Sequence, residues 1–187
     1  LGVAEGGRVP LTAAREAVLR LRRSKGMVLD PADPDTRSAG SFFTNPVLGL
    51  RQLASLEAAV SAACGPGIRV PRFAAGQGQV KVPAAWLIEH AGFARGYPAS
   101  LQPAGAQPGS GESSSGQRGS GQPGSGGGPG QGMSGARIST KHTLALVNPG
   151  GATTASLLAL AREIRNGVRD TFGVELVSEP VLVGGSL

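Results

Sequence analysis

Cysteine, histidine and aromatic residues are scarce in this chain of 187 residues, which holds one Cys, two His, one Trp, one Tyr and five Phe. The single Cys64 cannot close an internal disulfide, which favours a reducing compartment and a cytoplasmic protein. Its setting in the small-residue run "SAACG" reads as a buried apolar side chain. One Cys with His90 and His142 is too few ligands for a structural zinc site, so no metal is expected. No run of 18 apolar residues occurs, so neither a membrane span nor a membrane partner is expected. The pattern GxSxG is missing, which argues against a hydrolase elbow around any serine. Nothing in the spacing pairs two acids in one cleft: Glu89 reads as a helix surface residue and Glu179 as a strand end.

Glycine, by contrast, is abundant at 31 residues and concentrated in 103–136. That stretch holds no Val, Ile, Leu, Phe, Trp or Tyr, so it offers nothing to offset the entropy of ordering a backbone. "GSG" recurs there without a period, which marks low complexity rather than a structural repeat. We expect a disordered, flexible Gly/Ser/Pro/Gln insertion joining two halves of one folded unit. A phosphate-cradling loop would need a strand before it and a helix start after it, and neither is present.

The net charge is +6, which suits an anionic ligand or nucleic acid. Four of the 18 basic residues fall in "RLRRSK", residues 20–25. No aromatic residue is interleaved with them, which weakens a nucleic-acid surface, so no nucleic-acid partner is expected.

Periodicity divides the rest into short elements. Thr12 can cap a helix with Leu11, Ala14, Val18 and Leu21 at helical spacing. "SFFTNPVLGL" reads as a strand broken at Pro46, and "LRQLASLEAAVSAAC" as a helix closed by Gly65. "GIRVPRFAA" and "QVKVP" read as strands, and "PAAWLIEHAG" as a short helix with Pro83 in its first turn. "HTLALVN" reads as a strand. Thr154 can cap a helix that turns Leu157, Leu160, Ile164 and Val168 inward and ends at Gly173. "VELVSE" and "VLVG" read as closing strands. Helices and short strands without strict alternation predict an α+β domain with a small, mostly antiparallel sheet and flanking helices.

The stretch "SAGSFFTNP" holds a small hydroxyl, Ser41, between the flexible Gly40 and two large rings, Phe42 and Phe43. With "LRRSKGMVLDPADPDTRSAGSFFTNP", "VKVPAAWLIEHAGFARGY", "STKHTLALVNPGGAT" and "FGVELVSEPVLVG", it resembles the C-terminal part of the UDP-N-acetylenolpyruvoylglucosamine reductase (MurB) family. These are oxidoreductases of peptidoglycan precursor synthesis, and the wording "KGMVLDPADPDT" is most similar to the actinobacterial branch.

The resemblance implies an FAD-dependent enzyme that uses NADPH to reduce an enolpyruvyl ether on a UDP-sugar. It implies that Ser41 donates the proton to the substrate carbon and that Glu179 assists at the same centre. A hydroxyl is a weak acid, so that role requires fixed placement and electrostatic help. Arg22, Lys25, Asn45, Lys81, Arg95 and His142 match substrate-contacting positions of the family. Phe73 stands where relatives carry a uracil-stacking Tyr, so stacking is retained and a hydroxyl contact is not. Thr44 replaces a Lys common in other branches.

The resemblance also divides the chain. Residues 1–25, with a helix at 11–24, are expected to end an FAD-binding region, and the residues that bind the cofactor are expected mostly upstream of Leu1. Residues 26–102 and 137–187 are expected to form the substrate-binding domain, with 103–136 inserted. The chain opens on Leu1 rather than Met, within an apparent element, so a fragment, inactive alone, is expected. A stand-alone UDP-sugar binding module without redox chemistry is the alternative reading.

Overall fold

The structure is a computed structural model that describes residues 2–98 and 135–187. Four α-helices and six strands alternate along the described chain. They are α1 (Leu11–Ser24), β1 (Ser38–Ser41), β2 (Val47–Leu48), α2 (Leu50–Cys64), β3 (Phe73–Gly76) and β4 (Gln79–Lys81). There follow α3 (Ala84–His90), β5 (Arg137–Ile138), β6 (Ala145–Val147) and α4 (Thr154–Phe172), and a single 3-10 turn at Pro34–Thr36 precedes β1.

The fold is α+β, as the sequence predicts, but the strands form two three-stranded sheets rather than one. Their orders are β1-β6-β5 and β2-β4-β3, and every pairing is antiparallel. β1 and β2 fall in different sheets, with Pro46 between them. A proline cannot donate to a ladder, so the chain changes sheets where the ladder must stop.

α2 and α4 pack against the sheets through stripes set by helical periodicity. Leu53, Leu56 and Val60 are buried on α2, and Leu160, Ile164 and Val168 on α4. The cap of α4 is Thr153, one residue before the predicted Thr154. The Thr153 hydroxyl accepts from the Ser156 amide at 3.1 Å, and the Thr153 amide donates to the Ser156 hydroxyl at 2.9 Å. This reciprocal pair satisfies two otherwise unpaired helix-start donors. Gly173 ends the helix in the left-handed region.

α1 differs from its prediction in two ways. Its cap residue is Pro10, and Thr12 lies inside the first turn. It has no buried residue, and Leu11, Val18 and Leu21 remain exposed. No helix or strand precedes α1 among the described residues.

The closing strands form no ladder. Val174 and Leu176 are buried and Glu175 and Val177 are exposed, the alternation of an extended chain. Only the pair Phe43–Ser178 bridges, flanked by Thr44 N–H to Val177 O at 3.0 Å and Glu179 N–H to Phe42 O at 2.8 Å. In "VLVG", Val181 and Val183 are exposed and unpaired among the described residues. The strand expected over "GIRVPRFAA" is confined to its last part, in Phe73–Gly76.

Most of the predicted insertion, residues 103–134, lies outside the described residues. Ala136, the last residue of the predicted insertion, is buried in the core. No helix among the described residues is long and apolar enough to cross a membrane.

Candidate active site

A cleft of about 490 Å³ opens between the end of α1 and the bulged strand β1. Arg22, Met27, Thr36, Gly40, Ser41 and Glu179 are among its lining residues. Three residues singled out in the sequence, Arg22, Ser41 and Glu179, thus meet at one cavity although they span most of the chain.

The local sequence dictates how Ser41 is held. β1 pairs with β6 as Ser38 to Val147 and Ser41 to Ala145, so three steps on one strand match two on the other. The surplus residue makes a β-bulge, and Gly40 takes φ +83° there. An L side chain adopts that backbone only under strain. Beyond Ser41, Phe42 is 4% exposed and Phe43 1%. Their rings meet edge to face with centroids 5.1 Å apart. Phe42 N–H donates to Leu144 O at 2.8 Å, and Phe42 O accepts from Glu179 N–H. The backbone on the C-terminal side of Ser41 is therefore fixed by core packing and by two hydrogen bonds. The second of these bonds brings Glu179 to the cleft.

Within the described residues, the side chains of Ser41, Glu179 and Arg22 make no hydrogen bond or ion pair with the protein. A half-buried hydroxyl, a carboxylate and a guanidinium without protein partners are free to engage a ligand.

A second group gathers around His142, off the cleft. Burial, followed by the positive charges of Lys25 and Arg95, holds the His142 imidazole below its ordinary value of 6.5, while Glu89 opposes them. Nδ1 accepts from Leu144 N–H at 3.3 Å, which leaves the neutral ring its proton on Nε2. Arg95 lies 3.6 Å from Glu89, whose Oε1 also accepts from the buried Thr143 hydroxyl. Lys25, Arg95 and His142 are thus close enough to act on one another, and the two lasting cations make this an anion-facing corner.

The third group sits on the second sheet. Phe73 and Lys81 are direct cross-strand partners, and both are exposed, Phe73 at 62%. An exposed ring beside an ammonium can stack a planar base and hold an anion. Asn45 joins this region through structure. Its Oδ1 accepts from Ala84 N–H at 2.8 Å, satisfying the first free donor of α3. The lining of the Ser41 cleft includes none of Lys25, Asn45, Phe73, Lys81, Arg95 and His142.

Sequence reasoning missed three contributors. Met27 and Leu29 line an apolar part of the cleft. Asp35 is a buried carboxylate at 3% exposure, and its position in "PADPD" reads only as a turn.

Comparison with known proteins gives one consistent family. Residues 30–105 and 125–183 match a family described as "UDP-N-acetylenolpyruvoylglucosamine reductase, C-terminal domain". The unmatched interval falls within the low-complexity insertion. A protein of Thermobifida fusca (strain YX) named "UDP-N-acetylenolpyruvoylglucosamine reductase" is 51% identical over 187 residues, all of this chain and 43% of the relative. One of the same name from Streptomyces coelicolor is 52% identical, over 100% of this chain and 40% of the relative. Another, from Saccharopolyspora erythraea, is 50% identical over 97% of this chain and 41% of the relative. The chain therefore spans about two fifths of the length of these relatives. On the family match and on identity near one half across the whole chain, this protein belongs to the UDP-N-acetylenolpyruvoylglucosamine reductase family, as its C-terminal part.

Proposed function

We propose that this chain is the substrate-binding part of a flavoenzyme that reduces the enolpyruvyl ether of UDP-N-acetylenolpyruvoylglucosamine to UDP-N-acetylmuramate in the cytoplasm. FAD and NADPH are the redox partners that the family implies. The family match is to a C-terminal domain, and the chain spans about two fifths of its relatives. We therefore assign flavin binding to the part of the relatives that this chain does not match, upstream of the position of Leu1, and the chain alone does not turn over.

One observation carries the reading. The Ser41 hydroxyl, free of protein partners among the described residues, faces a cleft that it shares with Glu179 and Arg22. Once hydride has been added to one alkene carbon, the neighbouring carbon carries the electron pair and needs a proton. Ser41 Oγ–H supplies it, and the serine recovers its proton from water. Glu179 supports that exchange from the same cleft, where its carboxylate can hold the water or the hydroxyl proton. Arg22 lowers the cost of the developing negative charge. The substrate's diphosphate extends to Lys25, Arg95 and His142, and its uracil to Phe73 and Lys81. Asn45 holds α3 in place and presents its remaining amide toward the substrate.

The test uses a chimaera joining this chain to the unmatched portion of the Thermobifida fusca reductase. Ser41→Ala is expected to leave flavin reduction by NADPH nearly unchanged. Reoxidation by the enolpyruvyl substrate should slow by about 10²- to 10⁴-fold, the usual contribution of a positioned proton donor. Stopped-flow absorbance separates the halves, and equal slowing of both would make Ser41 a structural residue.

A further inference from the structure

We propose that Asp35 is the positioning residue of this site: its buried carboxylate sets the His142 turn and the Arg22–Lys25 helix end against the strand that carries Ser41. The proposal rests on the reading of the site given above.

The geometry converges on this one side chain. Asp35 is 3% exposed and belongs to the 3-10 turn Pro34–Thr36, two residues before β1 starts. Oδ2 accepts from Thr140 N–H at 3.1 Å and from the Thr140 hydroxyl. Oδ1 lies 2.6 Å from Arg137 Nη2, an ion pair made off the hydrogen-bond direction, and the Arg137 side chain is only 15% exposed. Thr140 is the second residue of a tight turn in which the buried Ser139 hydroxyl accepts from Lys141 N–H at 3.0 Å and His142 N–H at 3.2 Å. Whatever fixes Thr140 therefore fixes His142.

The third link is steric. Gly26 is buried and sits against Asp35: a Cβ there would lie 3.2 Å from Asp35 O and 3.4 Å from its Cβ. Gly26 follows the end of α1, so this close approach seats Arg22 and Lys25 over the same turn. A neighbouring pair, Asp33 with Lys141, joins the same two segments but is solvent-exposed and worth little. Asp35 touches neither the cleft nor the His142 ring, so it acts through Thr140, Arg137 and Gly26.

The experiment compares wild type, Asp35→Asn and Thr140→Val in the full 187-residue chain, with UDP as probe. Asp35→Asn keeps an acceptor and removes the charge that pairs with Arg137. Thr140→Val leaves that ion pair intact and removes only the hydroxyl donor, so it keeps the test open should the first variant fail to fold. Three readouts are taken: melting temperature, UDP affinity by calorimetry, and the proton titration of the two histidines by NMR. Lys25, Arg95 and Glu89 face His142, and none is altered in either variant. We expect UDP affinity to fall about tenfold or more in each folded variant. We also expect the His142 midpoint to rise toward its ordinary value as the turn loosens and hydrates.

A lower melting temperature with UDP affinity and His142 titration unchanged would overturn the proposal, leaving Asp35 a stability residue. Failure of wild type to bind UDP would count against the functional reading instead. The His142 midpoint would then decide the positioning role by itself.

Discussion

At the residue scale, the stretch "SAGSFFTNP" resolves into a division of labour. Gly40 provides the backbone for the bulge, Ser41 the hydroxyl, and Phe42 and Phe43 the anchorage. Space is not what demands glycine at 40, since a Cβ there meets nothing within 4 Å. The demand is conformational, φ being +83°. Gly40→Ala is therefore expected to cost about 1–2 kcal/mol without a packing defect. Urea unfolding measures this, and an unchanged midpoint would mean that the bulge relaxes freely. The anchor and the hydroxyl were legible in the sequence because large rings and a small polar residue are distinct types. The bulge was not, because it depends on the register with β6, a partner more than a hundred residues away in sequence. Asp35 escaped for the same reason: its partners Arg137 and Thr140 lie beyond the insertion.

At the element scale, periodicity located the helices well and the strands less well. α2 and α4 each carry a full apolar stripe, so their burial could be read directly. α1 has apolar positions at helical spacing too, yet buries none of them, since periodicity states which face is apolar and not what covers it. "VELVSE" has true two-residue alternation but only one bridged pair, because pairing depends on a neighbour that the pattern does not name. One helix residue tests the packing. Glycine inside a helix is ordinarily worth replacing, with alanine gaining about 0.5–1 kcal/mol. At Gly167 in α4, however, an added Cβ would fall 2.5 Å from two carbons of the Phe93 ring, itself buried in the core. Gly167→Ala should therefore destabilise the protein by about 1–3 kcal/mol, the usual range for overpacking. Chemical unfolding would contradict this packing if the variant were more stable than wild type.

At the scale of the whole molecule, the chain is two stretches of folded sequence tied at a neck. Ile138 N–H donates to Tyr97 O at 2.7 Å, and the Tyr97 hydroxyl donates to Glu163 on α4 at 2.5 Å. The two flanks of the low-complexity stretch are thus held together by folded residues on either side of it. Deleting residues 105–134 should leave the fold intact, since the remaining loop of about ten residues is ordinary and closure entropy varies slowly with length. A fall in melting temperature beyond about 5 °C, roughly a kcal/mol or more, would show that the deleted residues pack against the domain. The central claim is that this chain lays a UDP-sugar across three separate groups, with the reacting end at Ser41. Its most direct test is backbone amide NMR of the chain titrated first with UDP and then with UDP-N-acetylenolpyruvoylglucosamine. UDP should shift the amides of Lys25, Phe73, Lys81, Arg95 and His142. The full substrate should add shifts at Arg22, Gly40, Ser41 and Glu179. Shifts confined to a separate depression lined by Arg69 and Arg72, or the same shifts from both ligands, would contradict the account.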